Sequence, residues 1–150
     1  IFRDGPLAPA VRASMNLPGL FEPVLYRHRY LVDGGVVDYI PVDAAKLLGA
    51  QWIIASVTEA DFTHSPPRNV LQTLEQIFDI RGALLARGQK EQANIVIAPN
   101  VGNVKIFETH RAQWVMEKGM QAAKEKIDAA KENLILYSSA ILLQQWLPKS

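Results

Sequence analysis

The distribution of apolar and polar positions along the chain predicts two short β-strands that are buried on both faces. The first is QWIIASV, residues 51–57, and the second is NIVIAP, residues 94–99, which Pro99 ends. Neither run alternates between apolar and polar residues, which is typical of strands in a parallel sheet covered by helices on both sides. A shorter strand is expected at residues 30–32, YLV.

Around these strands, apolar residues recur at helical spacing. Helices are predicted at residues 10–15, 41–48, 70–92 and 114–132. Pro9 and Pro41 suit the first turn of a helix, and Gly49 suits the residue that follows the last turn. The alternation of helices and strands along the chain is typical of an α/β fold.

The clearest amphipathic pattern lies in residues 114–132, where apolar residues repeat with the period of a helix. Trp114, Met116 and Met120 are expected to be core residues of this helix. The segment Leu134–Leu147 that follows is apolar enough to pack against the domain or to bind a partner. It is shorter than the roughly 18 apolar residues of a membrane span.

Composition narrows the class of protein. A chain of 150 residues with a net charge of +1 fits one domain and lacks the basic footprint of a nucleic-acid-binding protein. It has no cysteine, which excludes disulfides, thiolate nucleophiles and cysteine-ligated zinc. Two or three short strands make a narrow sheet, and the chain begins abruptly at Ile1. We therefore expect a preceding segment to supply neighbouring strands.

Histidine and serine positions indicate no catalytic or metal site within the chain itself. His28, His64 and His110 match no metal-ligand spacing and are expected to be solvated or structural. A nucleophilic serine of an α/β-hydrolase lies in a G-x-S-x-G turn. None of the serines examined has these flanking glycines: Ser14, Ser56, Ser65, Ser138 and Ser139. Arg27 and Arg29, in YRHRY, suit a solvated turn or a contact with an anionic headgroup.

Asp33 is the residue best placed for chemistry, and the motif LVDGG around it has two interpretations. In one, the runs YLV and VVDYI flank a two-residue turn and form a β-hairpin. In the other, Asp33 ends a buried strand and points into the crevice where open α/β sheets bind ligands. Gly34 and Gly35 would then allow backbone and substrate to approach closely. The spacing alone does not separate the two.

Longer stretches around Asp33 resemble a known family. GPLAPAVRASMNLPGLFEPV, followed by LVDGGVVDYIPVDAAKLLGAQWIIASV, is similar to the C-terminal half of bacterial patatin-like phospholipases, which are related to neuropathy target esterase. The resemblance covers residues 5–57 and continues more weakly through NIVIAP and WVMEKGMQAAKEKI. The family often has Asn-rich sequence shortly after its D-G-G motif, whereas here Asp38, Tyr39 and Ile40 precede Pro41.

The resemblance implies an α/β/α fold with a mainly parallel sheet, of which residues 1–150 form the C-terminal part. It implies a cofactor-free serine hydrolase of lipid or other carboxylic esters with a Ser–Asp dyad. Of the two dyad residues, only the aspartate has a counterpart in this sequence, which is Asp33. Gly34 and Gly35 complete its D-G-G motif. The serine and a glycine-rich oxyanion loop would lie in sequence that precedes Ile1, so an N-terminal segment, on this or another chain, is the expected partner.

Further expectations concern an alternative function of the chain, its partners and its location. A catalytically inactive binding or regulatory module is the alternative, with Asp33 only a turn residue. The tail Leu134–Leu147 could contact a membrane surface as an accessory role. The sequence leaves open whether the chain forms a homo-oligomer. Cytoplasm or the surface of a membrane is the favoured location, and no nucleic-acid partner is expected.

Overall fold

A computed structural model of the chain describes residues 1–58, 66–102, 104 and 108–146. The elements follow one another as helices and short strands, with two single-turn 3₁₀ helices at Gly34–Val36 and Thr109–Arg111. The remaining elements are α1 (Leu7–Ser14), β1 (Val24–Tyr26), β2 (Arg29–Leu31), α2 (Val42–Leu47), β3 (Ile54–Ser56), α3 (Val70–Lys90), β4 (Ile95–Ile97) and α4 (Ala112–Trp146).

Strands β3 and β4 pair in parallel, with Ile54 opposite Ile95 and Ser56 opposite Ile97. Helix α3 lies in the connection between them, as a parallel crossover requires. This arrangement confirms the α/β class and the parallel sheet. The prediction that both strands are buried on both faces is wrong: in β3 only Ala55 is buried, and β4 is half-buried. Each strand has one partner among the described residues, so the pair leaves apolar surface exposed.

Strands β1 and β2 form an antiparallel hairpin instead of joining the parallel sheet. The turn between them is Arg27-His28, whose φ angles of 47° and 62° are those of a two-residue hairpin loop. The expected strand at residues 30–32 therefore begins one residue earlier, and it is not buried, because Tyr30 is 75% exposed. Of the two interpretations of LVDGG, the hairpin around Gly34-Gly35 is wrong, since these residues begin a 3₁₀ turn.

Three of the predicted helices agree closely with the structure. Helix α2 begins after Pro41 and is followed by Gly49 with a φ of +95°, as predicted. Helix α3 begins at residue 70, where the Asn69 side chain accepts a hydrogen bond from the Gln72 amide at 2.9 Å. Helix α1 begins three residues earlier than predicted, so that Pro9 lies in its first turn.

The core lies between the segment after the 3₁₀ turn, β3 and α3. Its buried residues form one cluster: Ile40, Val42, Ala55, Val57 and Ala86. The prediction that Trp114, Met116 and Met120 are core residues is wrong, because Met116 is 70% exposed and the other two are also exposed. Helix α4 contacts β4 and buries Ala130.

Helix α4 is longer than predicted, since it continues through the apolar tail as far as residue 146. The described part of the tail is helical, and Leu136 and Leu143 are exposed on it. Residue 147, the last of the tail, lies outside the described residues. Among the described helices, none is both long and apolar enough to cross a membrane.

Candidate active site around Asp33

Asp33 follows strand β2 and caps the 3₁₀ turn that the two glycines begin. Its Oδ1 accepts a hydrogen bond from the Gly35 amide at 2.8 Å. Asp33 is half-buried, and no other side-chain hydrogen bond of Asp33 is found in the described part of the chain. One carboxylate oxygen is thereby fixed by the backbone, while the other keeps its capacity to accept a proton or a hydrogen bond.

Asn16 fixes the backbone of Asp33 from the side of helix α1. The Asp33 amide donates to the Asn16 carbonyl oxygen at 2.9 Å. Asn16 itself is only 6% exposed, and its Nδ2 donates to the Glu22 carbonyl oxygen at 2.6 Å. The sequence pattern alone did not indicate this role for Asn16. The signal that could have indicated it is a polar amide within the largely apolar stretch MNLPGLF.

The two glycines of the motif have different surroundings. A Cβ built on Gly35 would lie 3.1 Å from Asp33 Oδ1, closer than almost all real Cβ contacts. A Cβ on Gly34 would meet nothing within 4 Å in the described structure. Gly35 therefore leaves room for the carboxylate, and Gly34 leaves open space beside it.

Helix α3 contacts the three residues that precede Pro41. The ring of Tyr39 lies against Gly82, where a Cβ would come within 2.6 Å of ring carbon Cε2, and its hydroxyl donates to the Thr58 carbonyl oxygen at 3.1 Å. Gln89 Nε2 donates to Asp38 Oδ1 at 2.6 Å, and Gln89 Oε1 accepts from the Ile40 amide at 2.8 Å. These contacts place the turn of Asp33 against the middle and the end of the helix.

A cavity of about 750 Å³ opens beside Asp33. Gly34, Gly35, Asp38 and Tyr39 line it together with Asp33, and helix α3 contributes Glu75, Phe78 and Asp79. Among the described lining residues there is no Lys, Arg or His. The wall is apolar in part and acidic in part, which suits an uncharged or apolar portion of a ligand better than an anionic one.

None of the described serines is hydrogen-bonded to Asp33 as a nucleophile would be. Ser14 lines the same cavity at the end of α1, but no hydrogen bond joins it to Asp33 within the described structure. Ser138 and Ser139 donate to carbonyl oxygens one turn earlier in α4. Ser56 is exposed on β3, and Ser65 lies outside the described residues.

The described histidines and arginines do not line this cavity. His28 is in the exposed hairpin turn and His110 in an exposed 3₁₀ turn, while His64 lies outside the described residues. No group of three or more His, Asp or Glu residues in the described ranges is arranged to hold a metal ion. Arg27 is exposed and pairs with Asp4 at 2.9 Å, and the hydrogen bond and charge of Asp4 raise the pKa of Arg27.

Comparison with known proteins gives a consistent set of similarities. Residues 1–46 match the family model of patatin-like phospholipases. A lysophospholipase NTE1 of Scheffersomyces stipitis is 33% identical over 116 residues, which cover 77% of this chain and 7% of that protein. A lysophospholipase NTE1 of Meyerozyma guilliermondii is 49% identical over 45 residues, which cover 30% of this chain and 3% of that protein.

A third relative, an NTE family protein of Mycobacterium tuberculosis, is 24% identical over 154 aligned residues, which cover 86% of this chain and 26% of that protein. The chain thus spans about a quarter or less of the length of these relatives. The 46 residues that match the family model include Asn16, Asp33, Gly34 and Gly35.

Proposed function

We propose that this chain, which belongs to the patatin-like phospholipase family, supplies Asp33 as the catalytic base of a Ser–Asp dyad that hydrolyses carboxylic esters of lipids. The observation that carries the proposal is the geometry of Asp33. Its carboxylate is held by a backbone amide at 2.8 Å and lines a cavity of about 750 Å³ inside the region that matches the family. The names of the fungal relatives support a lysophospholipid as substrate.

The proton transfers of this hydrolysis need a serine hydroxyl next to the Asp33 carboxylate. A hydroxyl is a weak nucleophile near neutral pH, and a base within about 2.6–3.2 Å activates it. Asp33 accepts the serine proton as the serine oxygen bonds to the ester carbonyl carbon, and then passes the proton to the departing alcohol. Water next gives its proton to Asp33 and attacks the acyl group, and the proton returns to the serine as the acid leaves.

The nucleophile of this proposal is on another segment. No serine of this sequence lies in a G-x-S-x-G turn, so the serine and the donors that stabilise the oxyanion come from an N-terminal segment, on the same polypeptide or on a second chain. Residues 1–150 are then the C-terminal part of a single catalytic domain. The exposed Ile54 of β3 and the open space beside Gly34 suit such an addition.

The decisive variant is Asp33→Asn in the protein that carries both segments. Loss of the base is expected to lower kcat for a p-nitrophenyl acyl ester by about 10²- to 10⁴-fold, the usual contribution of a general base. The asparagine side chain can still accept the hydrogen bond of the Gly35 amide, so the fold is expected to persist, which circular dichroism checks. An unchanged kcat would make Asp33 a turn residue and the chain a binding or regulatory module.

A second measurement locates the nucleophile. Residues 1–150 alone are expected to leave the same ester intact, because they contribute the base without its serine. If the isolated chain hydrolyses the ester and Ser14→Ala abolishes that activity, the nucleophile is Ser14 and the two-segment proposal is wrong.

A further inference from the structure

The glutamine at the end of α3 touches the segment that continues from the Asp33 turn. We infer that Gln89 is a positioning residue for Asp33: its carboxamide holds residues 38 and 40 and thereby the turn that presents the carboxylate. The inference rests on the proposed function of Asp33, and it adds a residue far outside the D-G-G motif and outside the 46 residues that match the family.

Both ends of the Gln89 carboxamide are used. Nε2 donates to Asp38 Oδ1 at 2.6 Å, and Oε1 accepts from the Ile40 amide at 2.8 Å. A carboxylate only accepts hydrogen bonds and a backbone amide only donates them, so the two partners fix one orientation of the side chain. A carboxamide is the group that satisfies both partners at once. Lysine offers no acceptor, and an ionised glutamate offers no donor.

A short chain of hydrogen bonds connects this contact to Asp33. The amide of Asp38 donates to the Gly34 carbonyl oxygen at 2.9 Å, and the amide of Val37 donates to the same oxygen at 3.0 Å. The next amide along, that of Gly35, donates to Asp33 Oδ1 at 2.8 Å. A shift of Asp38 therefore moves the peptide that orients the carboxylate.

Packing along the same face of α3 supports the contact. Gly82, Ala86 and Gln89 are spaced i, i+4 and i+7, so they lie on one side of the helix. Gly82 leaves room for the Tyr39 ring, and Ala86 is fully buried in the core cluster next to Ile40. The helix is held at a fixed depth against residues 38–40, which keeps Gln89 within hydrogen-bond distance.

The test is Gln89→Glu in the protein that carries both the serine segment and this chain. The substitution keeps the size of the side chain but places a carboxylate oxygen against that of Asp38. We expect kcat for a p-nitrophenyl ester to fall about 10- to 100-fold with KM unchanged, because a small displacement of a catalytic group costs this much. The Gly35 amide is expected to exchange its hydrogen about tenfold faster.

The matched control is Gln92→Glu, the same chemical change three residues further along. Gln92 Oε1 accepts from Lys46 Nζ at 2.7 Å, so a carboxylate there faces a cation. The control is expected to keep both kcat and the exchange rate of the Gly35 amide. If Gln89→Glu does not fold, Gln89→Met removes both hydrogen bonds at similar size, and the same two losses are expected.

Rescue separates positioning from general stability. Asp38→Asn in the Gln89→Glu background restores a donor opposite an acceptor, so kcat is expected to recover by about tenfold, the effect of one charge-assisted hydrogen bond. An unchanged kcat in Gln89→Glu, or a loss that Asp38→Asn does not reverse, overturns the inference. If Asp33→Asn also leaves kcat unchanged, the proposed function fails, and the exchange rate of Gly35 then decides alone whether Gln89 orders the turn.

Discussion

At the scale of single residues, the Asp33 carboxylate is oriented by backbone groups. The Gly35 amide donates to Asp33 Oδ1, and the Asp33 amide donates to the Asn16 carbonyl oxygen. In a Ser–His–Asp triad the aspartate orients a histidine, whereas the proposed dyad has to orient the aspartate itself. The described lining of the cavity contains no histidine, which is consistent with that requirement.

The two glycines next to Asp33 offer a paired prediction. Gly35→Ala is expected to lower kcat about 10- to 100-fold, because its Cβ would press on Asp33 Oδ1 from 3.1 Å and displace the base. The Cβ of Gly34→Ala would meet nothing within 4 Å among the described residues, so this substitution is expected to leave the free energy of unfolding nearly unchanged. Urea unfolding and ester hydrolysis check the pair, and equal kcat values for Gly35→Ala and the unmodified protein would contradict it.

The sequence singles out Asp33 as the candidate site residue but not the residues that hold it. The D-G-G motif and the stretches on either side are contiguous, so their pattern can be recognised. Asn16 lies 17 positions before Asp33 in the sequence, and Gln89 lies 51 positions after Asp38, so no local periodicity signals either contact. Of the two interpretations of the motif, the hairpin at Gly34-Gly35 is wrong, because the Asp33 side chain accepts from the Gly35 amide and caps a 3₁₀ turn, which a turn pattern does not distinguish from a hairpin loop.

At the scale of elements, helix α3 is the support for the turn of Asp33. One of its faces carries Gly82, Ala86 and Gln89, and each of them contacts the segment after the turn or the core cluster beneath it. Gly82 lies within this helix, a position where glycine usually lowers helix stability. In the structure it is buried, and the absence of a side chain is what allows the Tyr39 ring to lie against the helix.

Two glycines of α3 provide a matched test of this role. Gly82→Ala is expected to destabilise the fold by about 1–3 kcal/mol, because its Cβ would overlap the Tyr39 ring. Gly88→Ala lies on the exposed side with nothing within 4 Å, and it is expected to stabilise by up to about 1 kcal/mol through helix propensity. Chemical denaturation measures both values. A stabilising Gly82→Ala would contradict the close packing of Tyr39 on the helix.

The positions of helices were more predictable from the sequence than the burial of the residues on them. Helices α2 and α3 begin within one residue of their predicted positions because proline, asparagine and glycine mark their ends locally. The burial of a residue depends on which element packs against it. The helical pattern of apolar residues includes Trp114, Met116 and Met120, yet no described residue covers them enough to bury them. A periodic pattern indicates that a face is suited to burial, but it does not say which neighbour covers it.

At the scale of the whole molecule, the described residues combine exposed apolar surface with a cavity beside Asp33. The two parallel strands have one described partner each, and no described serine forms a hydrogen bond with Asp33 at this cavity. Residues 1–46 match the patatin-like phospholipase family, and the relatives extend far beyond the matched region. These observations support a catalytic domain that residues 1–150 complete from the C-terminal side.

The most direct measurement is covalent labelling of the nucleophile by an alkyl fluorophosphonate, in the protein that carries both segments, followed by peptide mapping. The label is expected on a serine of a G-x-S-x-G turn outside residues 1–150, and Asp33→Asn is expected to slow labelling by about 10²-fold or more. Labelling of Ser14, or an unchanged rate in the Asp33→Asn variant, would contradict the account of Asp33 as the base of a serine on another segment.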